Sequence, residues 1–221
     1  MELGTVMTEG NERERLVERI VATTHIHDAR ILNAFRTVPR HLFVPEALHD
    51  AAYEDRALPL AEDQTISQPS MIALMLEELQ CGPEQRALEV GAGSGYAAAL
   101  LAQLVREVDA IELRPALAER ARLTLKRAGI ANVRLHVGDG SAGLPERAPF
   151  DAILVSAGAE RVPESLLGEL APNGRITIPV GDEHAQKLRT GFKRPAGSLE
   201  WRESIPCIFV PLVTPSRPCA S

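Results

Sequence analysis

The spacing of hydrophobic residues changes near residue 81, from separate amphipathic helices to alternating strands and helices. Before that point, apolar residues at helical spacing predict a helix over residues 11–22 and a second helix that Asp28 caps and Pro39 ends. A third helix is predicted over residues 69–80, opened by Pro69. Residues 39–66 contain several prolines and little periodicity, so we expect them to be mostly loop.

Beyond residue 81, short apolar strands alternate with amphipathic helices. The predicted strands are Arg86–Val90, Val108–Leu113, Val133–Val137, Phe150–Ser156 and Arg175–Val180. The predicted helices are Tyr96–Val105, Pro115–Gly129 and Pro163–Ala171, and Pro172-Asn173-Gly174 is a predicted turn before the last strand. Alternation of this kind predicts a parallel sheet with right-handed crossovers.

The C-terminal forty residues have the pattern of an antiparallel hairpin, followed by an apolar segment. Lys187–Lys193 and Ser198–Glu203 flank a predicted turn, Ile208–Leu212 is apolar, and the proline-bearing tail from Thr214 is expected to be frayed. We therefore predict one domain over residues 1–221, with an N-terminal helical extension (1–80), a ligand-binding core (81–181), C-terminal strands (182–213) and a tail (214–221).

Charge and composition argue against several classes of partner. The formal net charge is −6 and basic residues are interspersed with acidic ones, so we expect neither nucleic acid nor an anionic membrane as a partner. No run of 18 apolar residues and no signal-peptide pattern is present, which favours a cytoplasmic protein. Cys81, Cys207 and Cys219 are too scattered for a disulfide framework. The histidines lack partners that would complete a ligand set, so we expect no metal.

A glycine-rich segment, residues 89–96, joins the first predicted strand of the core to the next helix. Its spacing is G-x-G-x-G, and Tyr96 stands where a dinucleotide-binding loop would have its third glycine. Glu89 would repel a diphosphate but could hold an ammonium group. The segment is therefore typical of S-adenosylmethionine-dependent methyltransferases, and the residues expected to line the cofactor are Glu89, Gly91, Gly93, Ser94 and Gly95.

Two further cofactor contacts are expected where the next two strands end. Glu112, followed by Leu113, lies about twenty residues after the glycine loop, where a carboxylate can accept both ribose hydroxyls of a nucleoside. Asp139 and Gly140 follow the third strand, beside the expected position of an adenine amino group. Ligands bind at the carboxyl ends of strands in open α/β sheets. The fold class expected is thus α/β: a Rossmann-like class I S-adenosylmethionine methyltransferase, with helices on both faces of a mostly parallel sheet, an N-terminal helical extension and C-terminal antiparallel strands.

The chain resembles the protein-L-isoaspartate O-methyltransferase family over nearly its whole length. The glycine loop is common to many methyltransferases, whereas Val38–Pro45 and Gln64–Pro69 are much more specific to this family. The other matching segments are Tyr53–Leu60, Leu88–Tyr96, Gly138–Gly140, Phe150–Ala157, Gly174–Gly181 and Phe209–Leu212.

The resemblance implies an enzyme that methylates the free carboxylate of L-isoaspartyl residues in damaged proteins and converts S-adenosyl-L-methionine to S-adenosyl-L-homocysteine. The ester then closes to a succinimide, which can reopen as normal aspartate. Within this family the serine corresponding to Ser67 is assigned as catalytic. The resemblance also places the acceptor next to Thr65, Ile66 and Ser67, and the substrate peptide next to Val210, Pro211 and Leu212. We expect the enzyme to be a monomer.

Several alternatives remain open at this point. Ser67 lies just before Pro69 at a predicted helix start, where its hydroxyl could simply cap the helix. Asp63 occupies a position where the family usually has glycine, so the loop could take another conformation or disfavour acidic peptides. The acceptor could also be a specific peptide or small molecule, or the chain could bind the cofactor without turnover.

Overall fold

The computed structural model describes residues 9–213, and the predicted frayed tail lies outside these residues. The N-terminal part combines α-helices, short 3-10 helices and a small hairpin. Its α-helices are α1 (Glu9–Thr24), α2 (Ala29–Thr37) and α3 (Pro69–Leu79); its 3-10 helices are Arg40–Phe43 and Glu46–Ala51; its hairpin strands are β1 (Leu58–Pro59) and β2 (Thr65–Ile66). The three helices predicted in this part of the chain are confirmed.

Helix α2 forms as its sequence predicts. The Asp28 carboxylate accepts a hydrogen bond from the backbone N–H of Arg30, which satisfies one of the free donors at the helix start. Ile31 and Phe35 are buried, so this helix presents one apolar face to the core.

The prediction that residues 39–66 are mostly loop is wrong in part. Two 3-10 helices occupy much of the segment, and Leu58 pairs with Ile66 while Pro59 pairs with Thr65. Elements of two to six residues are too short to show a hydrophobic period, which explains why the sequence pattern did not reveal them.

The core of the fold is a seven-stranded sheet. Its strands are β3 (Arg86–Val90), β4 (Glu107–Glu112), β5 (Val133–Val137), β6 (Phe150–Val155), β7 (Leu170–Gly181), β8 (Gln186–Lys193) and β9 (Leu199–Cys207). Their order across the sheet is β5-β4-β3-β6-β7-β8-β9. Strands β3 to β7 pair in parallel, and β8 and β9 add antiparallel pairs at one end. The predicted fold class is confirmed.

Helices cover both faces of this sheet. The helices that follow β3, β4 and β6 are α4 (Tyr96–Leu101), α5 (Pro115–Arg127) and α6 (Glu164–Glu169). Alternate strand residues point to opposite faces: in β6, Leu154 belongs to the core shared with α1 to α4, whereas Ile153 belongs to the core shared with α6. Both faces of the central strands are therefore buried, as is usual in α/β folds.

Three predicted boundaries require correction. Helix α4 ends at Leu101 rather than Val105, and α6 is shorter than the predicted Pro163–Ala171. The predicted turn at 172–174 lies inside β7, where the register with β6 shifts between Leu170 and Arg175. Asn173 has a φ of 64°. The tight-turn residues therefore produce an irregularity in one long strand instead of starting a new strand, because pairing with β6 resumes after them.

The end of the chain folds back onto the sheet. The predicted hairpin is confirmed as β8 and β9, whereas Ile208–Leu212 forms an isolated parallel bridge, with Pro211 opposite Gly158. Among residues 9–213, no helix is both long and apolar enough to cross a membrane.

Candidate active site at the carboxyl ends of the parallel strands

The glycine loop connects β3 to α4 and turns back beneath the end of β4. Gly91 and Gly95 both have a φ of 84°, in the left-handed region that favours glycine. A Cβ on Gly95 would also lie 3.3 Å from the Cβ of Ala121 in α5. The N–H groups of Gly91 and Ala92 both donate to the carbonyl of Ile111, which holds the loop against β4.

Glu112 is positioned at this loop, as predicted. Its Oε2 atom accepts a hydrogen bond of 2.8 Å from the N–H of Gly93, and its Oε1 atom accepts one of 2.9 Å from the N–H of Arg114. Each carboxylate oxygen has a second lone pair for a ligand. The backbone bonds therefore orient the carboxylate and leave it able to accept hydroxyl groups. Leu113 follows it and is 41% exposed.

Glu89 lies entirely within the protein, next to the glycine loop. Its Oε1 atom accepts a hydrogen bond of 3.0 Å from the Ser156 hydroxyl at the end of β6, and its Oε2 atom has no hydrogen-bond partner among the described residues. Burial raises the pKa of Glu89 from 4.5 to about 8. A buried carboxylate oxygen without a partner suits an ammonium group, which would provide both the missing hydrogen bond and the opposite charge.

Asp139 and Gly140 lie after the end of β5, next in the sheet to β4, which ends at Glu112. The Oδ1 atom of Asp139 accepts hydrogen bonds from the backbone N–H and the hydroxyl of Ser141, and so caps a short 3-10 helix, Gly140–Ala142. A Cβ on Gly140 would lie only 2.4 Å from a methyl group of Val90 in β3. The close approach of the chain to β3 at this position therefore requires glycine.

The acceptor loop, residues 65–68, consists of β2 (Thr65–Ile66) and of Ser67 and Gln68, which connect β2 to α3. Ser67 is half-buried, and its hydroxyl makes no hydrogen bond to another residue in the 9–213 range. Its carbonyl accepts a hydrogen bond of 3.0 Å from Nη1 of Arg40. The backbone of Ser67 is thus fixed, while its hydroxyl is available to an incoming group.

The interpretation of Ser67 as a helix cap is wrong. The cap position of α3 belongs to Gln68, and the start of the helix is instead held by Asp55. The Oδ1 atom of Asp55 accepts a hydrogen bond of 2.8 Å from the N–H of Ser70, and its Oδ2 atom accepts one of 3.3 Å from the side-chain amide of Gln68. A distant carboxylate therefore takes the role that the sequence suggested for the serine.

The turn between β1 and β2 contains Asp63, which stands where the family usually has glycine. Glu62 and Asp63 have φ angles of 59° and 55°, in the left-handed region. Asp63 therefore adopts a backbone conformation that glycine would adopt freely and that other residues adopt at a cost in free energy. Glu62 forms an ion pair of 3.2 Å with Arg114, next to the ribose-site candidate Glu112.

The C-terminal segment Val210–Leu212 lies beside the end of β6. The N–H of Gly158 donates to the carbonyl of Val210, and the N–H of Leu212 donates to the carbonyl of Gly158, at 2.8 and 2.7 Å. The buried side-chain amide of Gln186 binds both the carbonyl and the N–H of Phe209, at 3.1 and 2.8 Å. Gly158, which binds the predicted peptide-binding segment, follows Ser156, the partner of Glu89, by two residues along the chain.

Sequence reasoning missed the residues that support the site rather than those that line it. These are Arg40, Asp55, Ser156, Gly158 and Gln186. Ser156 had an accessible signal, because it follows a parallel strand and such strand ends converge on one site. The other four act through bonds with distant backbone groups, which leave no local pattern. Arg40 and Asp55 lie within the family-like segments Val38–Pro45 and Tyr53–Leu60, but those segments do not indicate their partners.

Known proteins are similar to the chain over nearly its whole length. The family model for protein-L-isoaspartate(D-aspartate) O-methyltransferase matches residues 11–217. The chain is 49% identical over 207 residues to the protein-L-isoaspartate O-methyltransferase of Roseiflexus sp. (strain RS-1), covering 94% of each chain.

Solved structures show the same similarity. A protein-L-isoaspartate O-methyltransferase structure matches with a TM-score of 0.81 and 30% identity, covering 91% of this chain and 66% of that one. A second structure, a putative protein-L-isoaspartate O-methyltransferase from Plasmodium falciparum in complex with S-adenosyl-L-homocysteine, matches with a TM-score of 0.78 and 26% identity, covering 91% and 98%. The predicted family resemblance and fold are therefore confirmed.

Proposed function

This chain belongs to the protein-L-isoaspartate(D-aspartate) O-methyltransferase family, and we propose that Ser67 orients the acceptor carboxylate in the family's reaction. The enzyme methylates the free carboxylate of L-isoaspartyl residues, with S-adenosylmethionine as cofactor. One observation carries the proposed role. The Ser67 carbonyl is held by Arg40, while the Ser67 hydroxyl has no hydrogen-bond partner among residues 9–213.

The chemistry requires alignment more than acid–base assistance. The cofactor supplies an activated methyl group, and its loss leaves S-adenosylhomocysteine. A carboxylate with a pKa near 4 is already ionised at pH 7, so its oxygen can attack the methyl carbon without a general base. Correct placement of the reacting atoms, about 3–3.5 Å apart, can lower the activation free energy by roughly 7–11 kcal/mol.

The Ser67 hydroxyl suits this task because it is a neutral donor. It can hold one carboxylate oxygen by a hydrogen bond and leave the other oxygen free to attack. A cationic partner would bind the nucleophile more strongly and lower its reactivity. Thr65, on the preceding strand, is a second hydroxyl for the same role, and Ile66 is buried between them.

The cofactor is proposed to lie across the ends of β3, β4 and β5. Glu89 would bind the amino group, for which its buried Oε2 atom has no other partner among the described residues. Glu112 would accept the ribose hydroxyls, with Leu113 beside it. Asp139 and Gly140 would border the adenine. The backbone of Gly91, Gly93, Ser94 and Gly95 would contact the cofactor between these groups.

The substrate peptide is proposed to contact Val210, Pro211 and Leu212. Gly158 already uses the Val210 carbonyl and the Leu212 N–H on one side of this segment. Successive residues of an extended chain direct their polar groups to opposite sides. The Pro211 carbonyl therefore points away from Gly158, where it can accept a hydrogen bond from a peptide.

The experiment measures transfer of labelled methyl groups to an isoaspartyl peptide and to its aspartyl counterpart. We expect base-labile label in the isoaspartyl peptide only, in peptides of unrelated sequence. Absence of label would refute the proposed function, and restriction to one peptide would indicate a specialised acceptor.

The role of Ser67 is tested by Ser67→Ala, with Ser198→Ala in the exposed β8–β9 turn as a matched control. We expect Ser67→Ala to lose most methyl transfer and to bind S-adenosylhomocysteine normally, whereas the control should match the wild type. Turnover of Ser67→Ala close to the wild-type rate would contradict the proposed role.

We also propose that the protein is located in the cytoplasm and that it is a monomer. Cys81 and Cys207 are free thiols, in keeping with a reducing compartment. Light scattering after gel filtration and fractionation of cells test these two points.

A further inference from the structure

Arg40 is a fully buried arginine that lies between the acceptor loop and the glycine loop. It is 0% exposed, and its guanidinium donates hydrogen bonds to three backbone carbonyls. Nε binds Ala52 at 2.7 Å, Nη1 binds Ser67 at 3.0 Å and Nη2 binds Arg56 at 3.2 Å. One planar group therefore joins the acceptor loop to two points of the segment that precedes it.

The same guanidinium also contacts the cofactor side of the site. Its central carbon lies 5.0 Å from the centroid of the Tyr96 ring. Tyr96 is the first residue of α4, directly after Gly95 of the glycine loop. The guanidinium thus contacts both the backbone of Ser67 and the ring of Tyr96, the residue that directly follows the glycine loop.

This arrangement compensates a buried charge without a directly bonded carboxylate. Burial lowers the pKa of Arg40, and the nearby charges and dipoles of Tyr96 and Asp55 oppose this effect. Bonds to three carbonyls and an aromatic face satisfy the guanidinium. A lysine has a single ammonium and no planar fork, so it could not hold the same three points.

Asp55 fixes the other side of the acceptor loop. It holds the N–H of Ser70 and the side chain of Gln68 at the start of α3. Arg40 therefore anchors the chain at the Ser67 carbonyl, and Asp55 anchors it at the residues that follow, Gln68 and Ser70.

We propose that Arg40, together with Asp55, is a positioning residue for methyl transfer, which fixes the Ser67 hydroxyl, the proposed donor to the acceptor carboxylate, relative to Tyr96 and the adjoining glycine loop. Neither side chain needs to touch the substrate. Their effect comes from geometry, because a displacement of about 1 Å in reacting groups can cost on the order of a hundredfold in rate. The inference rests on the proposed role of Ser67.

The first test is Arg40→Lys, assayed below its melting temperature and normalised to the folded fraction. We expect kcat for the isoaspartyl peptide to fall at least tenfold, while the Kd of S-adenosylhomocysteine and the peptide KM change by no more than about twofold. Arg202→Lys is the matched control, since this arginine side chain on β9 is 75% exposed and its replacement should keep kcat near the wild-type value. An unchanged kcat per folded Arg40→Lys molecule would overturn the inference.

A second pair of variants decides the question if Arg40→Lys does not fold. Asp55→Ala removes the anchor at α3 and should lower kcat severalfold with normal S-adenosylhomocysteine binding. Asp55→Asn should restore much of the loss, because its amide oxygen can still accept from Ser70. Equal kcat values for Asp55→Ala and the wild type would overturn the inference. An inactive wild type would instead refute the proposed function, so the two failures are distinguishable.

Discussion

The buried carboxyl of Glu89 should make the cofactor-free protein less stable as the pH rises. Burial raises the pKa of Glu89 from 4.5 to about 8, so between these values the folded protein holds a proton that the unfolded chain has lost. Stability falls with pH wherever the folded state binds more protons. The difference in pKa corresponds to a loss on the order of 5 kcal/mol across this pH range.

Glu89→Gln should remove this pH-dependent loss. Glutamine resembles the protonated carboxyl in size and cannot ionise, so the variant and the wild type should have similar stability near pH 5. By pH 8.5 the variant should be more stable by several kcal/mol, since the wild type must then bury a charge. Urea unfolding of the cofactor-free protein, followed by circular dichroism at pH 5, 6.5 and 8.5, measures the difference.

The same variant should bind the cofactor product more weakly. An ammonium group beside Glu89 favours the ionised carboxylate, so binding of S-adenosylhomocysteine at pH 7 should release close to one proton from the wild type and almost none from Glu89→Gln. Calorimetry in two buffers with different ionisation enthalpies counts these protons.

Glu169→Gln provides a control. Glu169 in α6 is a second buried carboxyl with a raised pKa, but its Oε2 atom already accepts the N–H of Leu144. This variant should leave affinity and proton release unchanged. Parallel stability curves for Glu89→Gln and the wild type, with equal proton release, would refute the reasoning.

Three further predictions concern the supporting residues. Asp63→Gly relieves a left-handed backbone, so the free energy of urea unfolding should stay level or rise by up to about 1 kcal/mol, and kcat/KM for acidic peptides should rise. Gln186→Leu leaves the backbone groups of Phe209 unpaired, so peptide KM should rise severalfold while calorimetry finds normal S-adenosylhomocysteine affinity. Gly140→Ala forces a contact with Val90 and should cost about 1–3 kcal/mol in urea unfolding and weaken S-adenosylhomocysteine binding. Unchanged values in these assays would contradict each prediction.

Much of the fold and the cofactor site follows from local signals. Asp28 marks the start of α2, and Pro115 marks the start of α5. The G-x-G-x-G loop and Glu112 were expected at consecutive strand ends, and the hydrogen bond from Gly93 to Glu112 joins them in the structure. These predictions succeed because caps, turns and hydrophobic periods depend on residues a few positions apart.

The sequence by itself thus determined the alternating strands and helices of the core and the family, and it supplied the candidate side chains of the site. The tertiary structure decided which groups hold those side chains in place. Asp55, rather than Ser67, secures the start of α3, and Arg40 joins Ala52, Arg56 and Ser67. Such bonds end on backbone carbonyls and N–H groups, which every residue type except proline carries alike. Residue identity therefore cannot reveal these partners, and only the folded chain brings them together.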